Sequence, residues 1–268
     1  MSKIQEAINA SRKRAQKVGL AATGSFKMHD VRPTTAPLSL TGHPTLALDP
    51  NQMESRCLLP FITTKGATSA YMLLRTRLMQ RMRENKWKSV MVTGTVPDDG
   101  KSTTAINVAV GISQDVSQAV LLVDLDLERP TIATSLGLER TEGLSDYLQG
   151  KTECKNVIYN TDVERLFVVP SFDKMSSSES AVTPKMLQFV DYIKQLDPNL
   201  LIIFDMPPIL SSDGVLAMAP HVDSLLLVIS EGHTPRALLK RANQMIEDIP
   251  RAGTVFNRST EGSTGGYY

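Results

Sequence analysis

The sequence predicts an α/β protein in which helices cover both faces of an open parallel sheet. From residue 88 onward, short and almost wholly apolar segments recur along the chain, as expected of strands that are buried on both faces of a parallel sheet. Helical segments separate them, and this alternation is typical of a doubly covered sheet. The predicted strands are Val90–Thr93, Val120–Asp124, Leu166–Pro170, Leu201–Asp205, Leu225–Ser230 and Thr254–Asn257.

Two of the intervening helices carry a start signal of their own. Thr183 precedes Pro184, and Thr234 precedes Pro235. A threonine hydroxyl can cap the free N–H groups of a first helical turn, and proline is favoured at the first helical position. We therefore predict helices that begin at these two prolines.

Composition and charge indicate an ordinary globular protein. The chain has 268 residues, 41% of them hydrophobic and 21% charged, and its net charge of +1 gives no indication of a nucleic-acid partner. Cys57, Cys154 and four scattered histidines provide neither a disulfide framework nor a metal-ligand spacing. No apolar run approaches the ~20 residues of a membrane span, and the N-terminus lacks the apolar core of a secretory signal. We therefore expect a cytoplasmic protein whose contact with the membrane runs through a partner.

The chain divides into an N-terminal segment, a domain and a tail. Residues 1–65 are predicted to be a basic segment followed by a proline-rich linker, partly disordered. Within it, residues 1–20 fit either a solvated helix or a basic amphipathic helix that contacts anionic lipid or a partner. Residues 66–258 form the predicted domain. Residues 259–268 are small and polar and end in two tyrosines, which predicts a flexible tail.

The predicted domain begins with a helix over residues 66–88. Tyr71, Leu74, Leu78 and Met82 recur at spacings of three and four residues, which gives a core-facing stripe. The other faces are basic. We interpret these charges as a solvated face, with a docking surface as the alternative.

A phosphate-binding loop follows the first predicted strand of the sheet. Gly100-Lys101-Ser102 stands between a buried strand and a helix, as in a P-loop, which makes the predicted fold P-loop NTPase-like. Loop N–H groups and the helix N-terminus would bind phosphate, Lys101 would reach the β- and γ-phosphates, and Ser102 would bind Mg²⁺. The predicted nucleotide-binding residues of the loop are Gly94, Thr95, Val96, Pro97, Asp98, Asp99, Gly100, Lys101, Ser102 and Thr103. A chance Gly-Lys-Ser in a structural turn is the alternative.

This loop departs from the usual pattern at two points. Thr95 stands where the first glycine is expected, and Gly94 comes one residue early. Asp98 and Asp99 would place two negative charges beside the phosphates, which is unfavourable unless Mg²⁺ or local N–H groups offset them.

Carboxylates follow two of the predicted strands where ligands bind in open α/β sheets, beyond the strands' carboxyl ends. Asp124 and Asp126 end one apolar strand, and Asp205 ends another. One carboxylate of the first pair could hold Mg²⁺ while the other accepts a proton from an attacking hydroxyl. Asp205 suits a second contact to Mg²⁺. A turn capped by aspartate is the alternative for the first pair.

Together these motifs resemble the bacterial tyrosine kinases of polysaccharide synthesis, the BY-kinases. The order of the loop, DLD at 124–126, DMPP at 205–208 and a tyrosine-bearing tail carries the resemblance, which covers roughly residues 66–268. GLSDYL at 143–148, APHVDSLLLVI at 219–229 and VFNR at 255–258 are similar to family segments as well.

The resemblance implies an ATP-dependent tyrosine autokinase that regulates exopolysaccharide or capsule synthesis and export. It implies that the catalytic residues are Lys101, Asp124, Asp126 and Asp205, that Ser102, Asp124 and Asp205 hold Mg²⁺, and that Asn257 and Arg258 contact the adenine of ATP. Tyr267 and Tyr268 would accept phosphate from a neighbouring subunit, which implies a homo-oligomer. The expected partner is a membrane-embedded polysaccharide co-polymerase that holds the protein at the inner face of the cell membrane.

Several residues differ from the family pattern and leave two other functions open. Glu128 stands where arginine is usual, and in the helix before the loop Ser69 and Met72 replace two of three residues that close a ring of subunits, while Arg75 matches. A non-catalytic ATP-binding regulator of polysaccharide export is one alternative. A MinD/ParA-like ATPase switch is the other, although Val96 stands where those proteins carry a lysine.

Overall fold

An eight-stranded sheet forms the centre of the computed structural model, which describes residues 42–176 and 182–259. The strands lie in the order β1-β4-β5-β3-β6-β2-β7-β8, and every neighbouring pair is parallel apart from β4 and β5. Their bounds are β1 Thr45–Leu46, β2 Ser89–Gly94, β3 Ala119–Asp124, β4 Tyr159–Thr161, β5 Leu166–Val169, β6 Leu200–Asp205, β7 Ser224–Ser230 and β8 Arg251–Asn257.

Helices connect the strands and cover the sheet. Their bounds are α1 Pro50–Ser55, α2 Lys65–Asn85, α3 Lys101–Ser113, α4 Ile132–Leu136, α5 Leu144–Leu148, α6 Pro184–Gln195, α7 Gly214–Met218 and α8 Arg236–Met245, with short 3₁₀ helices at Cys154–Val157 and Ala219–His221. Among the described residues, no helix combines the length and apolar character needed to cross a bilayer.

Alternate residues of the central strands belong to two separate hydrophobic cores, one on each face of the sheet. In β2, Val90 and Val92 pack into the core beneath α2 and α3, whereas Met91 packs into the core beneath α6. All three side chains are fully buried. The predicted parallel sheet with helices on both faces is therefore confirmed.

Helix α2 follows the prediction closely. Leu78 and Met82 are each 2% exposed, and Tyr71 and Leu74 pack against the same core as partly buried side chains. The helix ends at Asn85, because Lys86 adopts a left-handed conformation with φ 58°.

Residues 42–65, the described part of the linker predicted over residues 21–65, pack against the domain. Met53, Leu58 and Leu59 are fully buried, and β1 pairs with β4. The Leu59 N–H donates to Asn107 Oδ1 over 2.6 Å, and Asn107 Nδ2 donates to the Cys57 carbonyl over 3.3 Å. Isolated buried side chains and the side chain of Asn107 on α3 hold this segment in place. Such contacts leave no periodic apolar pattern in the sequence.

One of the two predicted helix starts is correct. Thr183 caps α6, since its hydroxyl accepts from the Met186 N–H. Thr234 caps nothing, and α8 begins at Arg236. The Thr234 hydroxyl instead accepts from the Ser230 N–H and donates to Asp99 of the phosphate-binding loop. This prediction was wrong because a tertiary contact takes the hydroxyl.

Three predicted features lie outside the described residues. They are the basic segment at residues 1–20, most of the tail at residues 259–268, and the phosphoacceptors Tyr267 and Tyr268.

Candidate nucleotide-binding site

The phosphate-binding loop joins β2 to α3 at the carboxyl edge of the sheet. Gly100 precedes α3 with φ 90°, a conformation that L side chains rarely adopt. Among the described residues, the N–H groups of residues 98–103 find no acceptor. Free N–H groups at a helix N-terminus bind anions, so the loop can hold phosphate.

Asp99 turns into the loop rather than toward the phosphate-binding side. Its Oδ2 accepts from the N–H groups of Thr95 and Val96 over 2.8 and 3.0 Å, and the Thr234 hydroxyl donates to its Oδ1 over 2.6 Å. The side chain is fully buried, whereas Asp98 is exposed. The expectation that both carboxylates lie beside the phosphates therefore needs correction, because the loop itself uses the charge of Asp99.

The inward position of Asp99 accounts for the early glycine at residue 94. A Cβ on Gly94 would lie 3.0 Å from Asp99 Cβ and 3.2 Å from the Val96 carbonyl oxygen. A larger residue would therefore push the Asp99 side chain away from its hydrogen bonds. Thr95 fills the first-glycine position and is itself buried.

Asn257, at the end of β8, lies directly against the loop. Its Nδ2 donates to the Asp99 carbonyl over 2.9 Å, and a Cβ on Gly100 would collide with the same Nδ2. Arg258 follows in a left-handed conformation and is exposed. The structure thus places Asn257 at the nucleotide site, while the contact of either residue with adenine stays a prediction.

The three predicted carboxylates meet beside the loop. Asp124 and Asp205 end the neighbouring strands β3 and β6 as register partners and are fully buried, and Asp126 is 3% exposed. Burial raises the pKa of Asp205 to about 6, although Lys101 opposes the shift. Burial also raises the pKa of Asp124 well above its ordinary value, and the charge of Asp205 adds to that shift.

Lys101 supplies the positive charge among these carboxylates. Its Nζ lies 2.6 Å from Asp126 Oδ2 and 3.8 Å from Asp205 Oδ1, and it donates to Ser102 Oγ over 3.1 Å. Burial alone would lower the pKa of Lys101, but the carboxylates of Asp205 and Asp126 outweigh it and raise the pKa. The lysine is therefore charged and pairs with the acids at the site.

Several buried carboxylate oxygens at the site accept no hydrogen bond. Asp124 Oδ2 accepts from the N–H groups of Thr131 and Ile132, both over 3.1 Å. Asp124 Oδ1 and both oxygens of Asp205 have no hydrogen-bond partner among the described residues. Such groups are costly to bury and are the ligands that Mg²⁺ prefers.

The protein offers few oxygen ligands at this site, which suits a magnesium ion that shares its coordination with phosphate and water. Within residues 42–176 and 182–259, no cluster of three or more His, Cys, Asp or Glu side chains is arranged to hold a metal by itself. Ser102, Asp124 and Asp205 therefore fit a magnesium ion that arrives with a nucleotide.

Comparison with known proteins identifies the family of this chain. A family model described as an AAA domain matches residues 94–258, more than half of the chain. The tyrosine-protein kinase YwqD of Bacillus subtilis is 30% identical over 202 residues, which cover 74% of this chain and 84% of that protein. This chain belongs to the bacterial tyrosine-protein kinase family.

Other members of this kinase family agree in sequence and structure. The tyrosine-protein kinase etk of Escherichia coli is 31% identical over 219 residues, which cover 77% of this chain but only 29% of that longer protein. The solved kinase domain of the same protein has a TM-score of 0.63 at 28% identity and covers 74% of this chain and 80% of that structure. The Mg-ADP complex of MinD from Pyrococcus horikoshii shares the fold, with a TM-score of 0.53 at 22% identity over 64% of this chain and 71% of that structure.

The fold brings most of the predicted site residues of this family member together. Lys101, Ser102 and the three aspartates converge at the carboxyl edge of the sheet. Nucleotide binding follows from the P-loop fold of the family. No sequence pattern indicates that the turn after β7 contacts the loop, where the His233 Nε2–H donates to the Pro97 carbonyl over 2.9 Å.

Proposed function

We propose that this chain is an ATP-dependent tyrosine autokinase that acts with Mg²⁺. The observation that carries the proposal is the buried cluster of Lys101, Asp126 and Asp205 beside a loop of free N–H groups, in a member of the tyrosine-protein kinase family. The phosphoryl acceptors are Tyr267 and Tyr268.

ATP binding makes use of groups that the loop already presents. The triphosphate accepts hydrogen bonds from the N–H groups of residues 98–103, and the ammonium of Lys101 exchanges Asp126 for a phosphate oxygen. Ser102, Asp124 and Asp205 would hold Mg²⁺, which would supply positive charge to offset that of the phosphates. Asn257 and Arg258, at the end of β8, contact the adenine.

Phosphoryl transfer then needs a group that takes the proton of the tyrosine. Once Lys101 has turned to the phosphates, the carboxylate of Asp126 is free to accept it. The tyrosine oxygen forms a bond to the γ-phosphorus, the bond between that phosphorus and the bridging oxygen of ADP breaks, and the proton passes to Asp126. The tail of a neighbouring subunit supplies the tyrosine, as the resemblance to BY-kinases implies.

The proposed setting is the inner face of the cell membrane. A membrane-embedded polysaccharide co-polymerase holds and activates the kinase, and phosphorylation regulates exopolysaccharide or capsule synthesis. The candidate docking surfaces are the basic face of α2 and the basic N-terminal segment at residues 1–20. The membership of the chain in the kinase family supports this setting.

A non-catalytic ATP-binding regulator is the second candidate function. Glu128, in place of the usual arginine, lines a small cavity with Leu125 and Leu127, the chain neighbours of Asp126. An acid there adds negative charge where phosphoryl transfer needs positive charge. The ATPase switch finds less support, because the Val96 N–H is taken by Asp99 and its side chain carries no charge.

Mass spectrometry of the full chain separates these functions. Phosphatase-treated protein is incubated with Mg-ATP, alone and after co-expression with a polysaccharide co-polymerase, and phosphotyrosine is mapped. The autokinase predicts phosphate on Tyr267 or Tyr268, and none in a Tyr267→Phe/Tyr268→Phe variant. A chain that binds ATP but forms no phosphotyrosine and releases no phosphate favours the non-catalytic regulator. A chain that releases phosphate but forms no phosphotyrosine favours the ATPase switch.

A further inference from the structure

We infer that Asp99 and Thr234 are positioning residues that hold the phosphate-binding loop in its binding-competent shape and keep the loop's own negative charge away from the nucleotide. We call the linked residues Ser230, Thr234 and Asp99 the clasp. The inference rests on the proposed function, because it assumes that the loop binds a nucleotide.

The clasp ties the loop to the end of a central strand. Ser230 ends β7, which pairs with β2 immediately before the loop, where Gly94 and Val228 are register partners. The Ser230 N–H donates to the Thr234 hydroxyl over 2.8 Å, and that hydroxyl donates its own proton to Asp99 Oδ1 over 2.6 Å. One hydroxyl thus connects the rigid sheet to the carboxylate inside the loop.

The clasp also decides which loop N–H groups face a ligand. Asp99 Oδ2 takes the N–H groups of Thr95 and Val96, so these two donors point inward. The N–H groups of residues 98–103 are left for phosphate. A loop that lost Asp99 from its centre would have to find other partners for the buried N–H of Thr95 and the half-buried N–H of Val96, which costs free energy and changes its shape.

The negative charge of Asp99 gives the clasp an effect on nucleotide binding that a purely structural contact lacks. Asp99 lies two residues before Lys101 and is an anion within the loop that receives a polyanion. Three donors hold it inward. If the Thr234 hydroxyl is removed, Asp99 Oδ1 loses its donor, and the carboxylate gains by turning outward to water and toward the phosphates. The resulting repulsion is stronger for ATP than for ADP, because ATP carries more charge.

Two substitutions at Thr234 and a matched control isolate this effect. Thr234→Val removes the hydroxyl at nearly constant shape, and Thr234→Ser keeps it. Thr161→Val is the control, since the buried Thr161 hydroxyl also bridges an N–H and a carbonyl, those of Val163 and Leu166, at a distant edge of the sheet. Asp99→Asn combined with Thr234→Val removes the charge that the clasp restrains.

The experiment measures dissociation constants of the full chain for Mg²⁺ with a non-hydrolysable ATP analogue and for Mg-ADP, together with the melting temperature. We expect Thr234→Val to weaken binding of the ATP analogue about tenfold, within the range expected for one lost hydrogen bond, and binding of ADP by a smaller factor. Thr234→Ser stays within about twofold of the wild type. Thr161→Val lowers the melting temperature without changing the ratio of the two dissociation constants.

The double variant gives the sharpest outcome. If Asp99→Asn/Thr234→Val binds the ATP analogue more tightly than Thr234→Val alone, the charge of Asp99 is what the clasp restrains. Wild-type affinity in Thr234→Val, or equal losses for both nucleotides that match those of Thr161→Val, would overturn the inference while leaving the nucleotide site intact. A wild-type chain that binds neither nucleotide would overturn the proposed function itself.

Discussion

Asp124 and Asp205 are register partners on the neighbouring strands β3 and β6, and both carboxylates are fully buried. Two acids at adjacent strand ends disfavour each other's charge, and burial disfavours both. Lys101 offsets this through its contacts with Asp126 and Asp205. The site therefore holds electrostatic strain in the absence of ligand, and a bound cation would relieve it.

Asp205→Asn is expected to stabilise the ligand-free protein and to flatten its pH dependence. The pKa of Asp205 in the folded state is about 6, above the ordinary value of 3.8. Between these two pH values the folded state keeps a proton that the unfolded state has lost. The free energy of unfolding therefore falls as the pH rises from about 4 to about 6, by up to about 3 kcal/mol. Urea unfolding in EDTA at pH 4 and pH 7, on either side of this range, measures the difference.

The control for this prediction is Asp191→Asn, at an exposed position on α6. This variant should keep the pH dependence of the wild type. If Asp205→Asn retains the same dependence as the control, the raised pKa of Asp205 is not the cause.

Lys101→Met is expected to lower the rate of phosphoryl transfer about a hundredfold or more. It should also weaken ATP binding strongly. Its Nζ is the group that contacts Asp126 and Asp205 and that would move to the phosphates. The melting temperature should also fall, because the buried acids lose their counter-charge. Calorimetric titration with ATP checks the binding. Lys151→Met, at a side chain that is 60% exposed, is the matched control and should leave binding unchanged.

Gly100→Ala is expected to remove nucleotide binding through Asn257. The new Cβ would collide with Asn257 Nδ2, and the φ of 90° adds about 1–2 kcal/mol of backbone strain. Gly42→Ala is the control, since Gly42 has φ 94° and none of the described residues lies within 4 Å of the added Cβ, so that it carries the strain alone. Adding Asn257→Ala to Gly100→Ala should raise the affinity in fluorescence titrations toward that of Asn257→Ala alone, which lacks the proposed adenine contact. A double variant that binds no better than Gly100→Ala would mean that strain, not collision, causes the loss.

Asn107→Ala is expected to release the segment at residues 42–62 from α3. The substitution leaves the Leu59 N–H and the Cys57 carbonyl without partners, at a cost of about 2–3 kcal/mol. Limited proteolysis should then cut within this segment before the rest of the domain. Asn85→Ala, where the amide bonds an exposed turn of α2, should digest like the wild type. Equal digestion of the two variants would show that Asn107 does not anchor the segment.

The sequence predicts the centre of this fold well because its signals are local and repeated. Apolar strands that end in Asp124 or Asp205 place those carboxylates at one edge of a parallel sheet, whatever the details of the connections. The segment around Leu58 and Leu59 could not be predicted in the same way, because two buried leucines and the amide of Asn107 form no period. The two-residue β1 and three-residue β4 are likewise too short to leave a pattern.

The phosphate-binding loop shows the same limit at the level of single side chains. Lys101 and Ser102 could be assigned from their order after a strand, since their roles depend on local geometry. The inward carboxylate of Asp99 accepts a hydrogen bond from Thr234, 135 residues away in the chain, and no local sequence pattern indicates that contact. A threonine before a proline indicates a helix cap in isolation, and only the assembled sheet shows that β7 ends beside the loop.

Phosphotyrosine mapping of the full chain after incubation with Mg-ATP tests the autokinase proposal most directly. The proposal predicts phosphate on Tyr267 or Tyr268 in the wild type and none in Lys101→Met under the same conditions. A wild-type chain that binds ATP through Lys101 yet carries no phosphate on either tyrosine, alone or with a co-expressed polysaccharide co-polymerase, would contradict it.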